Sequence, residues 1–341
     1  MTQSLSTGGL SIIIVNYKSS QLILDCLKSA FQFPSSYDFE WIIVDNHSED
    51  NSKELIITTF PQVRWVPLDR NEGFGRANNA GIQIAKYDTY LFLNPDTYLL
   101  DDVIYKCYSR FIASEYVACS VQLLHADGSP QITGNNFMLG GINHLLPLPY
   151  LGKLLKVIAS LFKVKRPSTE AVTGTQPFGW ISGAFMMVKK QALQKAGKFD
   201  PDFFLYAEEV ELCSRLSKIG TIVVYGDLNI VHYQGESFKA VNKHFDKGYT
   251  NLFDQKGLQL IVSNQLRIRK QYGVFWFLFN LIMYTIEIPI VFIGGLIESL
   301  VLFKNPVVYV QRAFRYTKNI LKLWAVSYRI YLNRPYLYKM F

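Results

Sequence analysis

Four short apolar runs in the first hundred residues constrain the fold more than any other feature. Ser11–Val15 (SIIIV), Trp41–Val44 (WIIV), Val63–Val66 and Thr89–Leu93 (TYLFL) are almost free of charge. Each is too short for a helix and suits a strand buried on both faces of a parallel sheet. Their starts lie about 22–30 residues apart, the length of a βαβ unit. Helix signals fill the gaps: Ser19 or Ser20 can cap a helix burying Ile23, Cys26, Leu27 and Ala30, and Ser48 or Asp50 can cap the next. These features predict an open, doubly wound α/β sheet with its ligand site at the carboxyl ends of the strands.

The rhythm breaks at about residues 134–174. The stretch PLPYLGKLLKVIASLFKVKRP holds an amphipathic, basic helix. It reads as an insertion over the site or against a membrane, or as a helix packed on the domain. Lys198–Gly220 reads as a loop and then a helix, and Thr221–Tyr225 as another strand.

Charge separates the two ends of the chain. From Lys239 onward there are 15 basic and 4 acidic residues, against 20 and 23 in the remainder. This basic end is rich in aromatic and aliphatic residues, which favours an anionic lipid surface over nucleic acid. Gly273–Phe303 is its most apolar part, but Asn280, Glu287, Pro289 and Glu298 interrupt it. A carboxylate at mid-bilayer would cost ~2–3 kcal/mol on insertion scales, so interfacial or re-entrant helices are expected rather than a span. Arg312, Arg315, Lys318 and Lys322, with Trp324 and Tyr328, suit the same interfacial seat. Cys26, Cys107, Cys119 and Cys213 show no paired spacing and read as buried thiols of a reducing compartment. The start MTQSLSTGG lacks the basic and apolar regions of a signal peptide. A cytoplasmic location is expected.

Several polar residues stand where a strand hands over to a loop. Asp45 ends the second apolar run and can accept hydrogen bonds from a nucleobase or ribose, or cap a turn. Asn71–Ile82 (NEGFGRANNAGI) combines glycines, a helix start and Arg76, which together suit an anion. Asp96, in Asn94-Pro95-Asp96, can hold a divalent cation and needs further ligands, His232 among the candidates. Glu208, Glu209 and Glu211 cluster in FFLYAEEVELC, where mutual repulsion raises proton affinity toward that of a general base; acidic residues also simply favour a first helical turn.

The order SIIIVNYKS, VDNHS, NEGFGRANNAGI, LFLNPDT, ISGAFMMVKK, GKFDPDFFLYAEEVELC and VHYQGES resembles the family-two inverting glycosyltransferases, particularly their rhamnosyltransferase-like bacterial branch. The resemblance implies a GT-A fold, a Rossmann-like open mixed sheet flanked by helices, over about residues 1–240. Its donor half would cover about 10–125, the insertion 134–174 and the acceptor and catalytic half 175–240, with a helical, membrane-associating region over 241–341. By matching position, Asn16, Tyr17 and Asp45 would line the base pocket, and Arg76 and Asn78 would face the nucleotide or phosphates. Asp96 would be the metal carboxylate of a DxD-type motif whose first acid is here Asn94, with His232 on the metal or diphosphate and Mg²⁺ or Mn²⁺ as the ion. Trp180, Ser182 and Gly183 would wall the acceptor side. Glu209 matches the expected base, although the family carries Asp there; Glu208 is the other candidate. The implied reaction moves a sugar from a dTDP- or UDP-linked donor to an acceptor hydroxyl; the basic, aromatic end of the chain, not the motifs, points to a lipid-linked or polysaccharide acceptor at the inner membrane face. A catalytically weak scaffold of a glycan-assembly complex is the rival reading.

Overall fold

The structure, a computed structural model, describes residues 8–137, 141–162, 171–233 and 251–340. The chain forms two compact units. The first holds the described residues within Met1–Phe137, Pro167–Asp200 and Leu212–Phe245; the second those within Met138–Arg166, Pro201–Glu211 and Asp246–Phe341. In chain order the elements begin β1 (Gly9–Asn16), α1 (Ser20–Ala30), β2 (Asp38–Asp45), α2 (Ser52–Thr59), β3 (Arg64–Pro67), α3 (Phe74–Ile84) and β4 (Thr89–Leu93). They continue with β5 (Thr97–Tyr98), α4 (Val103–Ile112), β6 (Ala118–Leu124), β7 (Gly134–Asn135), α5 (Leu151–Leu161), β8 (Thr175–Phe178), β9 (Trp180–Ile181) and β10 (Phe185–Lys189). The last are α6 (Lys190–Ala196), α7 (Glu208–Leu216), β11 (Ile222–His232), α8 (Gln255–Tyr272), α9 (Val274–Val301) and α10 (Pro306–Tyr331).

In the first unit nine described strands form a mixed sheet in the order β3-β2-β1-β4-β10-β6-β11-β5, with β8 also on β11, and β7 pairs with β9 in a separate two-stranded sheet. Strands β1 to β4 are parallel, as their spacing predicted, and β10 enters antiparallel between β4 and β6. Alternate residues serve opposite faces, as strand geometry requires. Ile12, Ile14, Ile43 and Leu91 join Ile23, Leu27, Ile56 and Phe111 from α1, α2 and α4. Ile13, Val15, Ile42 and Phe92 join Ala77, Leu193 and Leu216 from α3, α6 and α7 on the other face. At Gly81 of α3, a Cβ would lie 2.5 Å from Ile13 Cγ2, so this helix sits directly on β1.

The capping expectations need correction. Ser19 is the N-cap of α1, yet its hydroxyl donates to the Tyr17 carbonyl instead of accepting a helical amide. Helix α2 starts from Asn51, Asp50 accepts the Ser52 amide, and Ser48 bonds to the β1 end. The last strand also runs seven residues past Tyr225, so His232 is its final residue and not part of a following loop.

The second unit packs α8, α9 and α10 around Ile261, Phe277, Leu281, Tyr316 and Ile320. Helix α9 is continuous through Pro289 over 28 residues, long and apolar enough to cross a membrane. Of the interfacial or re-entrant arrangements expected, the re-entrant one is not seen: the helix does not break, and two of its polar residues face inward. Asn280 and Glu287 are fully buried, and Glu287 accepts the backbone amides of Tyr150 (2.6 Å) and Leu151 (3.2 Å). A carboxylate thus satisfies the open amides that begin α5. The Tyr150 hydroxyl donates to Glu298 at 3.0 Å, joining α5 to α9 a second time. All four cysteines are buried free thiols.

Candidate active site

The ends of β1 and β2 lie in register, with Asn16 opposite Asp45. Asn16 is fully buried, and its amide donates to Asp45 Oδ1 (2.8 Å) and Ser48 Oγ (3.0 Å) while its oxygen accepts the Ser19 amide. Ser48 Oγ also accepts the Lys18 amide, so the loops after both strands are tied together. Lys18, His47 and Glu49 hold φ between 54° and 63° there, strain that such a network can maintain. Tyr17 is half-buried beside Asn16. The neighbouring residue Asn46 accepts the Glu72 amide (2.8 Å) and donates to Asn71 (3.0 Å), holding the loop that opens α3.

Arg76 and Asn78 lie on α3 but do not behave alike. Arg76 donates to Glu72 at 2.8 Å. Burial alone would raise the Glu72 carboxyl, but bonds from Arg70 and Arg76 hold it below its ordinary value. Asn78 is almost fully buried and donates to the Phe74 carbonyl, while its Oδ1 has no hydrogen-bond partner among the described residues.

The densest polar group forms where β5 pairs with the end of β11. His232 opposes Thr97 in that pairing, which brings its ring to Asp96 and Asn94. Nε2 lies 3.4 Å from Asp96 Oδ1 and 3.4 Å from Asn94 Nδ2. Gln131 sets the tautomer. Its Nε2 donates to the backbone carbonyl of His232, which leaves Oε1 to face His232 Nδ1 at 3.0 Å. Nδ1 therefore carries the hydrogen, and a neutral ring turns its Nε2 lone pair toward the carboxylate. Asp96 is 3% exposed, and a cavity of about 220 Å³ lies against it, lined also by Leu22, Asp25, Tyr98 and Tyr233.

A divalent ion fits this donor set. Two acceptor atoms converge in a buried place, and a carboxylate facing a lone pair at 3.4 Å is relieved by a cation between them. No group of three or more His, Cys, Asp or Glu is arranged for a metal among the described residues. Hard ions held by one or two side chains characteristically complete their shell with water and substrate phosphates.

The Trp180–Ala184 turn adjoins this group within the same unit. Trp180 pairs with Asn135, the Ser182 amide donates to the Thr133 carbonyl, and the Ala184 carbonyl accepts the Asn94 amide. Gly183 lies between these anchors, and both it and Trp180 are half-buried.

Glu208 and Glu209 begin α7 and belong to the second unit. They follow Tyr206 and Ala207, which both hold φ near 70°. Burial, and then the charge of Glu209, push the Glu208 carboxyl well above its ordinary value. Burial also raises Glu209, against backbone hydrogen bonds and the charge of Arg267, which lower it. Two carboxyls in one turn with raised proton affinity are better proton acceptors than ordinary glutamates.

Asn46, Gln131 and Arg267 escaped the sequence reading. Asn46 sits inside VDNHS and could have been suspected from its place after Asp45. Gln131 and Arg267 lie in no recognisable motif, and only the fold brings them to His232 and Glu209.

A model of the glycosyl transferase family 2 matches residues 11–195, more than half of the chain, so the protein belongs to that family. It is an enzyme, a glycosyltransferase of the inverting kind. It is 26% identical over 251 residues to N-acetylglucosaminyl-diphospho-decaprenol L-rhamnosyltransferase of Mycobacterium tuberculosis, covering 68% of this chain and 78% of the relative. The rhamnosyltransferase WbbL of Escherichia coli is 25% identical over 234 residues, covering 63% and 83%. Among solved structures, a mannosyltransferase from Pyrobaculum calidifontis in complex with GDP-Man and Mn²⁺ superposes with a TM-score of 0.49 at 14% identity, covering 92% of this chain and 86% of that one.

Proposed function

We propose that this enzyme moves a sugar, rhamnose being the leading candidate, from a dTDP- or UDP-linked donor to a hydroxyl of a lipid-linked or polysaccharide glycan, at the inner membrane face. The observation that carries this reading is the group of buried Asp96 and His232 with half-buried Asn94, whose donor atoms suit a cation shared with a diphosphate. Asp96 and His232 would hold Mg²⁺ or Mn²⁺, which when bound neutralises charge on the diphosphate leaving group. Asn16 would fix Asp45 for the base or ribose, Tyr17 would lie along the base, and Arg76 and Asn78 would serve the nucleotide side. Trp180, Ser182 and Gly183 would wall the acceptor.

Glu209 would take the proton of the acceptor hydroxyl as its oxygen attacks the anomeric carbon from the face opposite the leaving group. A single displacement of this kind inverts the anomeric centre. The raised proton affinity of Glu209 brings its basicity closer to what that transfer requires. Glu208, next to it, is also raised by burial and by the charge of Glu209, so the two carboxyls of the turn disfavour each other's ionised form. The lipid-linked acceptor is supported by the name of the mycobacterial relative, which acts on a diphospho-decaprenol.

The test is a panel of nucleotide sugars with and without Mn²⁺, read by thermal shift and by sugar transfer. Stabilisation by a dTDP or UDP sugar that grows with Mn²⁺ is expected. Absence of any nucleotide response would overturn the reading.

A further inference from the structure

The second unit leaves an apolar surface open to solvent in a regular pattern. On α9 the side chains of Phe275, Leu278, Ile282, Ile286, Ile293 and Ile297 are exposed, with Phe275 at 71%. Pro289 completes the same three-and-four spacing, which is one face of a helix. Asn280, Glu287 and Ser299 all lie on the opposite, buried side. Asn280 and Glu287, two of the interruptions read in the sequence, are thus turned away from the exposed stripe.

Helix α10 adds a second pattern. Phe314, Leu321 and Tyr328 recur every seven residues and are exposed, and Arg315, Lys322 and Arg329 repeat one residue further on, also exposed. An apolar stripe and a basic stripe therefore run side by side along the helix. Trp324, next to the apolar stripe, donates from its indole nitrogen to Thr285 of α9 at 3.0 Å, so the two apolar stripes adjoin. Large apolar patches rimmed by cationic side chains mark a surface that meets lipid.

We infer that α9 and α10 together form an in-plane docking surface for an anionic lipid bilayer, with α9 lying along the interface instead of crossing it. This rests on the membrane location proposed above and specifies its partner and orientation. The argument against a span is the packing. Helices α8 and α10 pack along α9, so a crossing α9 would draw the basic stripe of α10 into hydrocarbon. An in-plane seat keeps those cations level with lipid phosphates and buries only the open stripe.

The test uses the full chain with vesicles of phosphatidylcholine alone or mixed with phosphatidylglycerol. Co-sedimentation is expected with the anionic vesicles, falling about tenfold or more in Arg315→Glu/Lys322→Glu and falling likewise in Ile286→Glu. Thermal stabilisation by nucleotide sugar, read on the same preparations, should be unchanged, which separates failure of docking from failure of the enzyme reading. In cells, Phe275→Cys and Leu300→Cys, which both lie on the open stripe, should be shielded from an impermeant maleimide added to either side of the membrane. Labelling from opposite sides would overturn the in-plane seat. So would equal binding to neutral vesicles, or a dimer broken by Ile286→Glu with no vesicle binding.

Discussion

Both units bury an apolar core, but they differ in what they leave exposed. The sheet unit buries its apolar residues on both faces, and its working polar groups collect where the strands end. The helical unit buries polar groups such as Asn280, Glu287 and Gln265 inside and carries large apolar side chains outside. The sheet unit obeys the usual arrangement for water. The helical unit inverts it on one side, as a surface facing lipid does. In the proposed reaction the sheet unit would hold the donor and ion, and Glu209 of the helical unit would accept the proton.

Kinetics can break that division. The largest effect is expected for Glu209→Gln, with kcat falling on the order of 10²–10⁴-fold and nucleotide-sugar binding, read by thermal shift, unchanged. A parallel loss of binding would show that Glu209 acts on the donor. Asp96→Ala is expected to lose on the order of 10²-fold or more in kcat/KM, and with it the stabilisation gained from Mn²⁺. Gln131→Ala should be milder. Releasing the His232 ring should weaken apparent Mn²⁺ affinity by about 10–100-fold, and titration of activity against Mn²⁺ would reveal it as a rightward shift.

Smaller effects test the cores. Gly81→Val pushes a side chain into Ile13 and is expected to cost about 1–3 kcal/mol of stability, measurable by chemical denaturation. Glu208→Gln should change a pH slope. Because the folded state raises the Glu208 carboxyl, the unfolded chain gives up this proton first as pH rises. The wild type should therefore lose stability from the ordinary glutamate range upward, until the raised folded-state value is passed. The glutamine variant lacks this component, so its melting temperature relative to wild type should be higher at pH 8 than at pH 5.

Much of the sheet unit was legible because its strands are apolar runs with regular spacing. Leu10–Val15 and Trp41–Val44 are buried as their composition requires. Cap positions were less legible, since Ser48 has a stronger bond to make with Asn16 and Lys18 than with a helix. Asn94, Asp96 and His232 were readable as candidates, but their meeting depends on a two-residue strand, Thr97–Tyr98, that no periodicity announces. The unbroken course of helix α9 was hard to read for a related reason. A sequence shows that Glu287 interrupts an apolar run, but not that the amides of Tyr150 and Leu151 wait for it more than a hundred residues away.

That last contact has a bearing on how such enzymes can be recombined. Glu287 and the start of α5 complete one another, so neither segment is an independent module. A chimera that trims the 134–174 loop while keeping α9 would strand a buried carboxylate, and one that imports a foreign α9 would leave a helix start open. Grafting experiments should therefore exchange the two segments as a pair.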